Sequence, residues 1–262
     1  MLEHTFIIPC YKDSSFLEDC VNSLLNQTQK SNILITTSTP SEHISNIAAK
    51  YDIPVIINEN PQGIASDWNF ALQSCKTRYC TLAHQDDIYM PLYAEKVLES
   101  INKKPESLIA FCDYEEVRDN SYKRWPLYIA VKRILLTPFY LKNCWESRLV
   151  KKMILSLGCS ICCPSVTFNL DNLKGFKFSS EYTVNLDWNA WLEMAGKDGA
   201  FCYTPAVLMK HRISSECETS KGLGENRRQE EDKQMFMRLW PAIIAKVLVK
   251  AYSLSYITQK EK

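Results

Sequence analysis

Along the first 115 residues, short apolar runs alternate with segments whose apolar residues recur at helical spacing. Thr5-Phe6-Ile7-Ile8-Pro9 is an apolar run closed by proline, as a buried strand is where it leaves a parallel sheet. The pairs Phe16/Leu17, Cys20/Val21 and Leu24/Leu25 then predict a helix that Asp13, Ser14 or Ser15 can cap. Ile33-Leu34-Ile35 predicts a second strand, Ser41 to Tyr51 a second helix, and Val55-Ile56-Ile57 a third strand after Pro54. Gly63 leads into a helix over Ile64 to Cys75, followed by a fourth strand from Tyr79 to Ala83, a helix from Leu92 to Ile101 and a fifth strand from Leu108 to Cys112. Alternation of this kind predicts an α/β fold with a mostly parallel sheet flanked by helices on both faces.

Beyond residue 115 the rhythm breaks. Residues 121–160 are rich in Tyr, Trp, Lys and Arg at helical spacing without a clean strand, which predicts a helical insertion or an acceptor-facing lobe. From Met235, the residues Phe236, Leu239, Trp240, Ile243, Ile244, Val247, Leu248, Ala251 and Tyr252 form one helical stripe flanked by Arg238, Lys246 and Lys250. Such a helix packs on the domain or, through its basic flanks, meets a membrane surface or a second copy of the chain. The expected division is therefore 1–115, 116–225 and a C-terminal helical extension over 226–262.

Charge narrows the partners. Lys plus Arg total 31 against 30 Asp plus Glu, a net charge of +1, so no whole-molecule field draws the chain to nucleic acid. The start lacks the basic and long apolar stretches of a signal peptide, and no run is long and apolar enough to span a bilayer; a cytoplasmic protein, at most peripheral at the inner face of the membrane, is expected. Eleven cysteines sit inside strand-like and helix-like runs, among them Cys20, Cys80, Cys112 and Cys202, and read as small buried apolar residues of a reducing compartment. Cys159, Cys162 and Cys163 make one C-x-x-C, with no second pair at zinc-finger spacing.

Candidate chemistry concentrates at His84-Gln85-Asp86-Asp87, directly after the fourth predicted strand. Adjacent carboxylates at the C-terminal end of a parallel strand stand where open α/β sheets bind ligands, and a cation relieves their mutual repulsion. Hard oxygen donors suit Mg2+ or Mn2+, which keep substrate phosphates in their remaining positions. The competing reading is an acidic pair that caps the helix starting near Pro91.

Phe6-Ile7-Ile8-Pro9-Cys10-Tyr11, then Phe16-Leu17 through Ser23-Leu24-Leu25-Asn26-Gln27-Thr28, resembles the opening of glycosyltransferase family 2 enzymes with the GT-A, Rossmann-like fold. Asn60-x-x-Gly63 leading to Asn69-x-Ala71-Leu72 is similar to that family's second block, and His84-Gln85-Asp86-Asp87 to its D-x-D motif. The resemblance implies a nucleotide pocket at Pro9, Cys10, Tyr11, Thr37, Asn60, Gly63, Asp67, Asn69, Gln85 and Asp86. It implies a metal on Asp87 with help from Asp86 and His211, and a diphosphate held by Arg212. Asp187, ahead of Trp191-Leu192, resembles the family's catalytic carboxylate, with Trp188 and Trp191 shaping the sugar and acceptor site. The implied reaction is an inverting sugar transfer from a nucleoside-diphosphate sugar, a UDP-sugar first and a dTDP- or GDP-sugar next, to a carbohydrate or lipid-linked acceptor. Bacterial surface polysaccharide or glycan assembly is the implied setting. The chain departs from the family at Thr36-Thr37-Ser38-Thr39, where acids usually hold the base, and at His84, which replaces the first acid of the commoner pattern.

Two other enzyme classes fit less well. Nucleotidyl transfer would need a basic glycine-rich loop that Cys10-Tyr11-Lys12-Asp13 lacks, and a glycoside hydrolase would need two facing carboxylates in an ordered pattern. A catalytically silent scaffold of a polysaccharide-assembly complex is favoured only by the altered end of the second strand.

Overall fold

The structure, a computed structural model, describes residues 2–118, 121–123, 127–213 and 225–260. The strands β1 (His4–Cys10), β2 (Asn32–Thr37), β3 (Val55–Ile57) and β4 (Tyr79–Leu82) run parallel in the order β3-β2-β1-β4. Connecting them are α1 (Leu17–Leu25), α2 (Glu42–Lys50) and α3 (Ile64–Ser74). Covered on both faces, β1 is almost wholly buried: Phe6, Ile8 and Cys10 join the core beneath α1 while Ile7 joins the one beneath α3, the two-residue period of a strand. Ser41 caps α2 by accepting the Ile44 N–H. In α1 the expected side-chain cap is absent; the cap position is Phe16, whose N–H donates to Ser14 Oγ instead.

The remaining elements are β5 (Ile88–Tyr89), α4 (Tyr93–Asn102), β6 (Ser107–Arg118), β7 (Ser121–Lys123), α5 (Leu127–Leu135), α6 (Pro138–Leu141), β8 (Cys144–Trp145), α7 (Arg148–Met153), β9 (Val166–Asn169), α8 (Leu186–Ala195), β10 (Ala200–Ile213), α9 (Glu225–Met237) and α10 (Ala242–Lys260). They extend the same sheet to ten strands, β3-β2-β1-β4-β9-β6-β10-β5, with β7 on β6 and β8 on β10. The sheet is mixed: β9, a strand absent from the sequence pattern, runs antiparallel between β4 and β6. Residues 121–160 are not wholly helical either, since β7 and β8 fall there. The sheet shows no break at residue 115, because β6 runs through it to Arg118.

Two further expectations are corrected. Cys144 and Cys202 are joined in a disulfide, having been brought face to face across the antiparallel β8–β10 pair, so Cys202 is no free apolar thiol. The stripe from Met235 to Tyr252 is two helices, because Pro241 cannot continue α9 and instead opens α10, its carbonyl accepting the Ala245 N–H. Both helices reach the core, where Met235, Phe236 and Ala245 are fully buried. No helix among the described residues is long and apolar enough to cross a membrane.

Candidate functional site

Three strand ends make the site. The chain leaves β4 through Ala83, whose N–H still bonds Ile7 O, and turns tightly so that the Asp87 N–H reaches His84 O at 3.1 Å. It then enters β5, which is stitched antiparallel to Met209 and Lys210 of β10. Strand β10 can arrive there because it shifts register against β6 on either side of Val207, just after Pro205, which has no N–H to give the ladder. The shift delivers His211 and Arg212 to the acidic turn from more than a hundred residues away.

Asp87 is fully buried. Its Oδ1 accepts the Arg212 backbone N–H and the His211 Nδ1–H, both at 2.9 Å. Its Oδ2 is buried without a hydrogen-bond partner, as is Nε2 of His84, whose Nδ1 lies 4.0 Å from that oxygen. Ligand atoms of His84, Asp86 and Asp87 all lie within 4.8 Å of one another. A buried carboxylate oxygen with nothing to accept from is costly unless a ligand completes it, and two carboxylates with an imidazole suit a small divalent cation such as Mg2+ or Mn2+. The residues present therefore fit the metal implied by the sequence, with one change. His84, not His211, stands with the two acids, whereas His211 holds the other oxygen of Asp87 from outside the group. Burial works against charging His211, but the Asp87 carboxylate more than offsets it, pushing its pKa up to about 9.

Arg212 braces the turn rather than offering an open fork to a phosphate. Its Nε donates to Asp86 O at 3.1 Å, its Nη2 reaches Asp19 at 3.4 Å, and its guanidinium lies 4.0 Å from the centre of the Phe16 ring.

The mouth beside the cluster is tied to β1. Gln85 clamps the backbone of Tyr11, accepting its N–H at 3.2 Å and donating to its carbonyl at 3.0 Å, which leaves the Tyr11 ring exposed. Pro9 is half-buried and Cys10 buried behind it. Lys12 adopts φ +57°, a left-handed conformation unusual outside glycine, and its N–H donates to Thr39 Oγ1 at 2.6 Å. Thr37 is buried, its Oγ1 accepting the Thr39 N–H. The loops after β1 and β2 are thereby locked together.

The acid missing after β2 arrives from another element. Asp67, one turn into α3, accepts from Ser38 Oγ and from Asn58 Nδ2, both at 2.8 Å, which sets a carboxylate against the end of β2. Gly63, at φ +88°, makes the turn into that helix. Asn60, exposed, donates its N–H to Asn58 Oδ1. Asn69 serves the fold, its amide bonding both the N–H and the carbonyl of Phe178. Between them Trp68 separates His84, 5.2 Å away by ring centres, from Phe178 at 5.1 Å. A cleft of about 600 Å³ lies on the far side, lined by Asn58, Asn60, Asn69, Phe70, Lys177 and Phe178 among others, and it includes none of the three clustered residues.

Asp187 is the second residue of α8. Its Oδ1 accepts the Trp188 N–H at 2.7 Å, and its Oδ2 accepts from Cys159 Sγ at 3.6 Å. Burial holds its pKa above the usual carboxylate range, an effect softened by the Trp188 N–H, Lys132, Cys159 and His84. Trp188 and Trp191, expected to touch sugar, are corrected: both are fully buried, Trp188 donating its indole N–H to Leu155 O and packing on Phe236, and Trp191 lying against Phe168. An apolar residue directly after a helix start is as easily core as site, and here the C-terminal helices supply the core.

Those helices also hold the segment before Asp187. Glu231 of α9 accepts the N–H groups of Thr183, Val184 and Asn185 at 2.9–3.3 Å and the Thr183 hydroxyl at 3.1 Å, and Asp232 accepts from Asn185 Nδ2 at 2.8 Å. No sequence signal pointed to Glu231. His84 was findable as a ligand inside the acidic motif, and Asp67, expected in the nucleotide pocket, stands one turn past Gly63. Ser214 to Asn226, with Gly222 and Gly224 among polar residues, reads in the sequence as a candidate mobile loop over the donor; it lies outside the described residues, except for its last two at the start of α9.

Residues 5–167 match the model of glycosyl transferase family 2. An uncharacterized glycosyltransferase of Rickettsia prowazekii is 25% identical over 248 residues, spanning 93% of this chain and 72% of its own length. Glycosyltransferase GlyG of Streptococcus pneumoniae is 23% identical over 124 residues, covering 44% of this chain and 41% of that protein. Among solved structures, S. aureus TarS 1–349 in complex with UDP-GlcNAc superposes with a TM-score of 0.65 at 13% identity, covering 95% of this chain and 70% of that one. Mannosyltransferase PcManGT from Pyrobaculum calidifontis, in complex with GDP-Man and Mn2+, gives 0.60 at 14%, covering 95% and 69%.

Proposed function

The chain belongs to glycosyl transferase family 2 and has the GT-A fold, and from that premise we propose that it is a metal-dependent, inverting hexosyltransferase using a nucleoside-diphosphate sugar. The observation that carries the reading is the buried, unpartnered Oδ2 of Asp87 beside His84 and Asp86. Bound there by Asp87, Asp86 and His84, Mg2+ or Mn2+ would offset the charge that develops on the departing nucleoside diphosphate. Asp187 takes the proton from the acceptor hydroxyl as that oxygen attacks the anomeric carbon from the face opposite the leaving group. Its desolvated setting makes it a stronger base than a carboxylate in water, and the Trp188 N–H and the Cys159 thiol hold its two oxygens in place. His211 and the Arg212 N–H hold Asp87 in one rotamer, so no reorganisation is needed when charge develops.

The nucleotide is seated at the ends of β1 and β2, with the exposed Tyr11 ring offering a stacking face and Asp67 meeting the base. A carboxylate accepts from the ring N–H of uracil, which makes a UDP-sugar the first choice, ahead of dTDP- and GDP-sugars. Asp67 of α3, held against the end of β2, weighs against a silent scaffold. A carbohydrate or lipid-linked acceptor in bacterial surface glycan assembly, at the cytoplasmic side of the membrane, fits a single-sugar transferase of this kind.

Thermal melting with UDP, dTDP and GDP, each with and without Mn2+, tests the reading. The expected result is a stabilising shift that needs both nucleotide and metal, largest with UDP, and is lost in Asp87→Ala. Absence of any shift in the wild-type protein, or an equal shift in the variant, would sink it.

A further inference from the structure

The chain just past α7 meets α10 and the segment that leads into it. Trp240 Nε1 donates to Ser156 O at 2.7 Å, a Cβ added at Gly158 would meet the Tyr252 ring at 2.8 Å, and Lys152 shares a cleft of about 240 Å³ with Arg238 and Leu239. The inward residues of α10 are those that pack: Ala245 is fully buried, and Leu248, Val249 and Tyr252 rest on the core. Its outer residues are apolar as well, with Ile243 82% exposed, Val247 64% and Ile244 beside them. On the neighbouring element Leu149 is 78% exposed, and Met153 and Leu157 continue the exposed apolar series at steps of four.

The two segments carry basic charge only, the nearest acids being Asp198, which pairs with Arg148, and Glu193 in the cleft beside Lys152 and Arg238. Residues 148–157 and 238–253 contain Arg148, Lys151, Lys152, Arg238, Lys246 and Lys250 and no acidic residue, in a chain whose net charge is only +1. All but Lys151 are exposed. We infer that the α7–α10 face docks on an anionic lipid bilayer, its apolar residues entering the headgroup boundary while the basic residues meet lipid phosphates. A protein partner fits less well, because the centres of protein interfaces are depleted in lysine, whereas apolar residues interleaved with lysine are what an interfacial helix presents.

Docking by this face would hold the base helix α8 near the lipid surface, since Trp188 packs on Phe236 and Tyr252 at ring-centre distances of 5.1 and 5.7 Å. Delivery of a lipid-carried acceptor to Asp187 is the consequence, and that consequence alone rests on the transfer reading.

Sedimentation of the full chain with vesicles of phosphatidylcholine, with and without phosphatidylglycerol, tests the docking without any turnover. Binding is expected only with phosphatidylglycerol and weakening with salt, and it should fall roughly fivefold for each of Lys246→Gln and Lys250→Gln. It should be lost in Ile243→Asp/Val247→Asp, whose melting temperature and nucleotide-dependent melting shift should match the wild type because both side chains are exposed. No binding to either vesicle, or equal binding to both that the variants leave unchanged, overturns the inference. So does a concentration-dependent dimer, abolished by the aspartate variant, in a protein that ignores vesicles; that result would assign the face to a second copy. Failure of the nucleotide melting test with intact vesicle binding would leave the docking standing and remove only the donor site.

Discussion

Two buried carboxylates, Asp87 at the acidic turn and Glu231 on α9, differ in one respect. Glu231 is saturated: three successive backbone N–H groups, a hydroxyl and Arg227 converge on it. Asp87 is equally buried but has one oxygen filled and the other unpartnered. Burial alone therefore does not separate structure from function. What separates them is that the protein completes Glu231 by itself and leaves Oδ2 of Asp87 unpartnered among possible metal ligands, a setting that Asn169 Oδ1, also buried and unpartnered in β9, lacks.

The comparison breaks most visibly in turnover. Asp87→Ala should lower sugar transfer by on the order of 10²–10³-fold, and Asp187→Asn by about 10²–10⁴-fold, in steady-state assays, with unfolding transitions close to wild type. Wild-type-like turnover in either variant removes that residue from the chemistry. Glu231→Ala should do the reverse in emphasis: three N–H groups lose their acceptor at once, so chemical denaturation should show a loss of about 3 kcal/mol. A variant as stable as wild type would mean that the clasp is incidental.

The pH dependence of stability sharpens the contrast. Asp187 has its folded pKa raised, so its charge opposes folding above that pKa; Asp187→Asn should be as stable as or more stable than wild type at neutral pH, the difference closing in acid. Burial would raise Glu231, but the N–H groups of Asn185, Thr183 and Val184 more than offset it and hold its pKa low. Its stabilisation is therefore present above the unfolded carboxylate pKa and lost as pH falls through the folded one. The deficit of Glu231→Gln should accordingly shrink in acid, with the opposite sign to that of Asp187→Asn, and curves of the same sign would contradict the assignment. The smallest effect belongs to Cys159→Ala. Removing a weak S–H donor from Asp187 should move the acid limb of the rate profile up by a few tenths of a pH unit, a shift of about 0.5 kcal/mol, with little change in melting.

Half of the site is legible in the chain's local pattern. The strand-to-turn positions of Pro9, Tyr11 and Asp86-Asp87 follow from it, because a buried parallel strand is an apolar run and its polar sequel must stand at its carboxyl end. Trp188 and Trp191 mislead for a physical reason: an indole near a carboxylate lines a site or fills a core according to what covers it, and what covers Trp188 is Phe236 and Tyr252. β9 escapes the pattern because a four-residue strand is hard to tell from coil even between Pro164-Ser165 and Asp171-Asn172, while the sheet accepts it between β4 and β6 through long-range pairing.

The sequence by itself determined the alternation of strands and helices through residue 112, the acidic turn after the fourth strand and the carboxylate ahead of Trp191, all of them consequences of residues close together in the chain. Only the tertiary structure decided that His84 stands with Asp86 and Asp87 while His211 holds the other oxygen of Asp87, that Asp67 lies against the end of β2, that Cys144 faces Cys202, and that Glu231 holds the segment before Asp187. Each of these is a contact between segments whose meeting depends on sheet order and helix packing, and local periodicity carries no record of either.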